Sequence, residues 1–393
     1  MKFTLFHLMP YADLDLEAAA DYPTSWLQTP NTFYDTEKGA ALYDRYLGEL
    51  ERGEELGFDG IAVNEHHSTA YGMMPSPIVT ASALARRTKK VTIAILGSAL
   101  PLRGHPLTLA EEHAMIDTIT KGRLITGMVR GIGAEYHVWG VNPVFSHERF
   151  HEAHDLIIQA WTEPGITSWQ GKHYNHEYVN LWPRPYQKPH PPIWIPSQGS
   201  RETIEWAAHP KRKYVYLQTF SPIKSVQKYL KMYRDQCEAY GYTCSDQQLG
   251  WAVPIYVAET DEIAQREAKV HYENFRNRFL KMPIEMLLPP GYSSIESMKG
   301  VAATKAQIVG DVTLELCMKL GMFICGSPET VRQTLEQYWK DMRFEHLLSM
   351  LQFGTLPADL TAKSMDLFAK EVMPKLRSMA AATSARGTQV AAE

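Results

Sequence analysis

The stretch GFDGIAVNEHHST, from Gly57 to Thr69, holds an apolar run, Gly60 to Asn64, entered through glycine and left through Glu65, His66 and His67. A short run of this kind between turn formers reads as a strand buried on both faces. In front of it, Ala40 to Leu56 sets Leu42, Tyr46, Leu50 and Glu54 on one helical face, so helix and strand follow each other directly. The same alternation recurs in both directions along the chain. Strand candidates are Lys2 to Met9, Gly60 to Asn64, Val91 to Leu96, Leu124 to Val129, Ile193 to Ser197, Tyr214 to Gln218, Leu249 to Val257 and His346 to Phe353. With helical stretches such as Pro106 to Thr118 between them, the eight predict βα units closed into a (β/α)8 TIM barrel with insertions. A length of 393 residues suggests two or three domains of roughly 150, but one barrel with insertions can use all of it.

Composition narrows the function classes. Forty Lys plus Arg against 44 Asp plus Glu leave a net charge of -4, with no broad basic field for nucleic acid or anionic lipid. The longest uncharged stretch, Ser68 to Ala85, contains Gly72, Pro75 and Pro77 and cannot supply the about 20 apolar residues of a membrane span. The N-terminus runs from MKFTLF into His7 and Pro10 without a signal-peptide pattern, so a cytoplasmic protein is expected. Cys237, Cys244, Cys317 and Cys325 lack CxxC spacing and read as reduced thiols. Two segments break the periodicity. Glu285 to Lys305, interrupted by Pro289, Pro290 and Gly291, has the length and composition of a lid. Residues 378–393, rich in Ala, Thr and Ser, read as a flexible tail beyond a barrel domain of residues 1–377.

Four constellations carry chemistry. Glu65-His66-His67 sits at the carboxyl end of the second strand candidate, the edge where barrel active sites lie. A histidine there can exchange a proton near neutral pH beside an orienting carboxylate, or simply be a structural loop histidine. The sequence does not say which imidazole points inward. Arg130, followed by Gly131 and Gly133, offers a planar fork of donors beside backbone that a ligand can approach. The turn Ser197-Gln198-Gly199-Ser200-Arg201-Glu202-Thr203 is either a phosphate seat at a helix N-terminus or an ordinary cap. His147-Glu148-Arg149-Phe150-His151 matches the HExxH zinc pattern, with Glu163, His173 or His176 as a third ligand; the competing reading is a solvated helix face.

Six ordered blocks together resemble the bacterial luciferase-like family of flavin-dependent monooxygenases: MKFTLF at Met1 to Phe6, GFDGIAVNEHHST at Gly57 to Thr69, LPLRGHPLTLAEE at Leu100 to Glu112, DTITKGRLITGMVRG at Asp117 to Gly131, SQGSRETIEWAA at Ser197 to Ala208 and DLFAKEVMPKLR at Asp366 to Arg377. The resemblance implies a barrel that binds reduced FMN at its strand ends, activates O2 as a C4a-peroxyflavin and oxygenates a small organic substrate. It implies an NAD(P)H-dependent flavin reductase as the source of reduced flavin, and a homodimer. Phe6 falls against the flavin ring, His66 on the catalytic histidine, with Glu65 and His67 in the same block. Gly97 and Ser98 fall on the strand end that supports the ring, in some members through a non-proline cis peptide. Arg130, Gly199, Ser200 and Thr203 fall on the phosphate site. No metal is required in the helix carrying His147 to His151, which weighs against zinc. The sequence departs from luciferase at Val129, where luciferase has cysteine, and at Gly199, where it has glutamate, so light emission is not implied. Two neighbouring readings are an F420-dependent oxidoreductase on the same barrel and a non-catalytic partner subunit.

Overall fold

In the computed structural model the described residues are 1–294, 299 and 311–390. Eleven strands are present among them: β1 (Lys2–Phe6), β2 (Gly60–Val63), β3 (Thr92–Ala99), β4 (Leu124–Val129), β5 (Thr167–Gln170), β6 (Asn175–Val179), β7 (Ile193–Ser197), β8 (Val215–Thr219), β9 (Leu249–Val257), β10 (Ile324–Gly326) and β11 (His346–Met350). Eight of these form one closed parallel ring in the order β1, β2, β3, β4, β7, β8, β9, β11 and back to β1. Thr4 is level with Gly60 across the first pair, and Lys2 with His346 where the ring closes. The chain is a (β/α)8 barrel, and each barrel strand overlaps one of the eight read from the sequence.

Alternation along the strands explains both faces. Leu5 and Ile61 point outward onto Gly53 of the helix Thr36–Glu55, where a Cβ would come within 3.0 Å of Leu5. The residues between them point inward: a Cβ on Gly60 would lie 2.5 Å from the Thr92 hydroxyl and 3.1 Å from that of Thr4. Small residues higher up, Ala62, Ala94, Gly127 and Ala252, leave room for Phe6 and Leu348. β3 and β4 approach backbone to backbone, since a Cβ on Gly97 would meet the Gly127 carbonyl at 2.9 Å. Their register shifts between Ile95 and Ser98, and the Leu96–Gly97 peptide is cis.

Three features differ from the expectation. The antiparallel hairpin β5–β6 is half exposed and polar, so no apolar run announces it. The three-residue β10 extends β9 past the barrel rim, Ile324 pairing with Ile255. The final helix runs Met373–Val390 with Ala380 buried, so the backbone is helical where a frayed end was expected; alanine, the best helix former, carries it on. Of the segment expected as a lid, Glu285 to Ser294 forms a turn of helix, Ile284–Leu287, and a loop through Tyr292. Residues 295–298 and 300–305 lie outside the described residues. Among the described residues no helix is long and apolar enough to cross a membrane.

Candidate active site

β2 delivers Glu65, His66 and His67 to the carboxyl rim, and the two imidazoles turn apart. His66 Nδ1 lies 3.1 Å from Glu135 Oε1, its ring edge-on to Trp26 at 5.2 Å and to Tyr71 at 5.1 Å. Trp26 is held by donating its indole N–H to the Phe279 carbonyl, 2.9 Å. His67 Nε2 instead lies 3.0 Å from Glu65 Oε1, while Arg103 donates to Glu65 Oε2 at 2.7 Å. Burial pushes the Glu65 carboxyl up, but the His67 bond and the Arg103 charge outweigh it and hold it below the usual carboxylate range. Glu65, His67, Ser76, Leu102, Arg103 and Trp139 line a cleft of about 340 Å³.

Arg130 follows β4 and is tied down by the loop across the mouth. Its guanidinium donates to the Ser146 hydroxyl at 3.1 Å and to the Tyr292 carbonyl at 2.8 Å, and it stacks 4.3 Å above the Tyr292 ring. The Tyr292 hydroxyl in turn donates to the Gly131 carbonyl. Gly133 is required where this loop crosses: a Cβ there would overlap Pro289 and the Leu287 carbonyl.

The turn after β7 is a true cap. Ser200 accepts from the Thr203 N–H at 3.4 Å at the start of the helix Arg201–Ala208 and donates to Glu202 at 2.6 Å. Gly199 has φ +105°, and any Cβ would collide with the Tyr229 ring. His147 opens the helix Ser146–Thr162 and feels the charges of both Arg130 and Glu202. Burial, then the charges of Arg130 and His151, push its imidazole down to about 4, with Glu202 opposing. Ser200 thus satisfies the amide of the helix's own first turn, as an ordinary cap does.

Other expected residues separate. Phe6 stays at the mouth, stacked on Phe220 at 6.2 Å. The Ser98 side chain turns away into the layer between barrel and helix, 3.3 Å from His113 Nε2, whose Nδ1 meets Thr126; only its backbone, with that of Gly97, faces the strand end. In the HExxH stretch, Glu148 bonds to Lys172 at 2.7 Å and His173 at 3.0 Å, while His151 stacks on Trp206 at 5.3 Å. Among the described residues no three His, Cys, Asp or Glu side chains could hold one metal ion. Glu135, Arg103, Tyr292 and Trp26 were not singled out from the sequence. Glu135 alone had a local signal: it stands at the third position of the helix Gly133–Trp139, where a carboxylate reaches back to the Ile132 N–H.

The family model described as luciferase-like monooxygenase matches residues 27–346. This chain belongs to that family. It is 22% identical to the alkanal monooxygenase alpha chain of Photobacterium leiognathi over 87% of this chain and 95% of the relative. It is 27% identical to the oxygenase component of the flavin-dependent trigonelline monooxygenase of Acinetobacter baylyi, over 61% and 67%. Among solved structures, the oxygenating constituent of 3,6-diketocamphane monooxygenase from Pseudomonas putida, in complex with FMN, superposes with a TM-score of 0.74 at 19% identity, covering 95% and 98% of the two chains. An F420-dependent secondary alcohol dehydrogenase shares the fold at 0.64 and 15% identity, covering 95% and 98%. Family membership makes the chain a flavin-dependent monooxygenase.

Proposed function

We propose that this chain is the oxygenase component of a two-component system, in which a separate NAD(P)H-dependent flavin reductase supplies reduced FMN and a small organic substrate is oxygenated here. The observation that carries this is the convergence at one barrel rim of His66, Arg130, the Ser200–Thr203 turn and two buried amide oxygens without partners, Asn64 Oδ1 and Gln352 Oε1. Asn64 follows β2 and Gln352 follows β11, the two strands that flank β1 and Phe6. An unpartnered buried acceptor costs about 1–3 kcal/mol, so N–H groups on a planar ring beside Phe6 fit there. Arg130, Gly199, Ser200 and Thr203 would hold the cofactor's phosphate, with Gly97 and Ser98 lending backbone under the ring. Reduced FMN so bound supplies two electrons to O2, so that one oxygen atom enters the substrate and the other leaves as water.

The chain's own residues do the rest. The apolar ring of Phe6, Phe220, Trp26 and Tyr71 keeps bulk water from the mouth, and His66 gives or takes a proton there. Glu65 and His67 form a second proton-bearing pair one residue away. A homodimer is part of this reading: Pro106–Thr120 exposes Met115 and Ile119, among Thr108, Glu111 and Thr118, and the neighbouring helix Pro77–Arg87 exposes Val79, apolar side chains that a second copy would bury. Buried, unpaired cysteines suit a cytoplasmic, reducing compartment.

The test is to mix the protein anaerobically with reduced FMN, admit labelled O2, and follow both flavin absorbance and label in a substrate panel. Oxidation of the flavin on a time course distinct from free flavin, with one labelled atom in product, supports the proposal. Flavin that neither binds nor reacts differently from free flavin rejects it and turns attention to F420 or to a non-catalytic partner subunit.

A further inference from the structure

We infer that Glu135 is the positioning residue of His66, holding the imidazole in the Nδ1–H tautomer so that the lone pair of Nε2 is presented at the barrel mouth. The inference rests on the reading of His66 as the proton-handling group. Glu135 is 1% exposed and His66 12%. The carboxylate is pinned from its far side, because Oε2 accepts the Ile132 N–H at 2.8 Å. That leaves Oε1, an acceptor only, 3.1 Å from His66 Nδ1, and a carboxylate there requires the ring nitrogen to carry the hydrogen. Nε2 has no hydrogen-bond partner among the described residues, and the imidazole keeps that 12% exposure to solvent. Trp26 and Tyr71, edge-on to the ring, block its rotation. Among the described residues His66 is the only ionic partner of Glu135, so no cation competes with the imidazole for Oε1.

An amide in place of this carboxylate has a forced orientation. In Glu135→Gln the Ile132 N–H still needs an oxygen, so the amide oxygen stays there and the NH2 group faces His66. A donor facing Nδ1 demands the opposite tautomer, with the hydrogen on Nε2 and no lone pair at the mouth. In a Ser-His-Asp triad the equivalent exchange leaves the geometry intact and costs about 10⁴-fold in kcat.

The experiment is long-range 1H–15N spectroscopy of 15N-histidine-labelled protein without flavin, the His66 signals being assigned by their loss in His66→Gln. Wild-type protein should show Nδ1–H, and Glu135→Gln should show Nε2–H. Where the monooxygenase assay of the preceding section runs, kcat in Glu135→Gln should fall by about 10²-fold or more while KM stays within a few-fold. An Nε2–H signal for His66 in wild type, or an unchanged tautomer in Glu135→Gln, overturns the inference. Should Glu135→Gln fail to fold, Glu135→Ala replaces it: two tautomers side by side are expected, and a retained pure Nδ1–H form rejects the role. Since the spectra need neither FMN nor O2, they decide the role of Glu135 even if the oxygenase assay fails.

Discussion

His66 and His67 are neighbours in the chain, and each meets a glutamate, but the two pairs are electrostatically different. Glu65, beside His67, is shared with Arg103 at 2.7 Å, so its charge is already balanced and the trio behaves as a buried ion pair with a histidine attached. Glu135, beside His66, has an N–H on one oxygen and the imidazole on the other, so its charge is directed at the ring. The lesson is that spacing finds only the local pair, Glu65 with His67, while the other partner of each carboxylate, a cation for Glu65 and a backbone N–H for Glu135, sets how its charge is shared.

The strongest way to break this comparison is to delete each imidazole. His66→Ala should lower product formation by about 10²–10⁴-fold, the usual worth of a positioned acid or base, with reduced-FMN binding retained. His67→Ala should lose less, under about tenfold. Steady-state rates beside a flavin titration check this, and equal losses would dissolve the distinction.

Next in size is the ion pair under His67. Arg103→Met leaves Glu65 buried without its cation and should cost about 2 kcal/mol, discounted from a fully buried pair because Arg103 is 26% exposed. The sign with pH follows from the depressed Glu65 carboxyl. Its stabilisation is present above the unfolded-state value near 4.5 and is lost as pH falls through the lower folded value. Urea midpoints at pH 7 and pH 4 should therefore differ more in wild type than in Glu65→Gln.

The smallest effect sharpens the contrast with a histidine that has no carboxylate. His113, buried between the hydroxyls of Ser98 and Thr126, is pushed down to about 3 by burial first and the Arg103 charge second. The unfolded chain takes up a proton below about 6.5 that the folded protein refuses. Stability should fall by about 1 kcal/mol between pH 6.5 and 5.5 from this group, and His113→Gln should flatten that part of the urea-midpoint profile. A flat wild-type profile there would show that His113 accepts a proton in place.

Much of this was legible before any coordinates. Alternating strands and helices gave the barrel, because side-chain direction repeats every two residues in a strand and every 3.6 in a helix, and both periods survive in a linear sequence. Gly199 was legible as a turn, although the Tyr229 ring beneath it was not. The position of the paired histidines at a strand's carboxyl end was legible, because the apolar run stops just before them. What the sequence could not contain was the pairing of parts far apart in the chain. Glu135 lies 69 residues from His66, Tyr292 lies 162 residues from Arg130, and Ser98 turns outward because β3 shifts register against β4 where two glycines meet. The polar hairpin β5–β6 left no apolar period to read. Local periodicity determined the strands, helices and rim. Which carboxylate meets which histidine was decided only when the barrel brought the loops after β2 and β4 together across β3, since a hydrogen bond depends on distance and direction rather than on order along the chain.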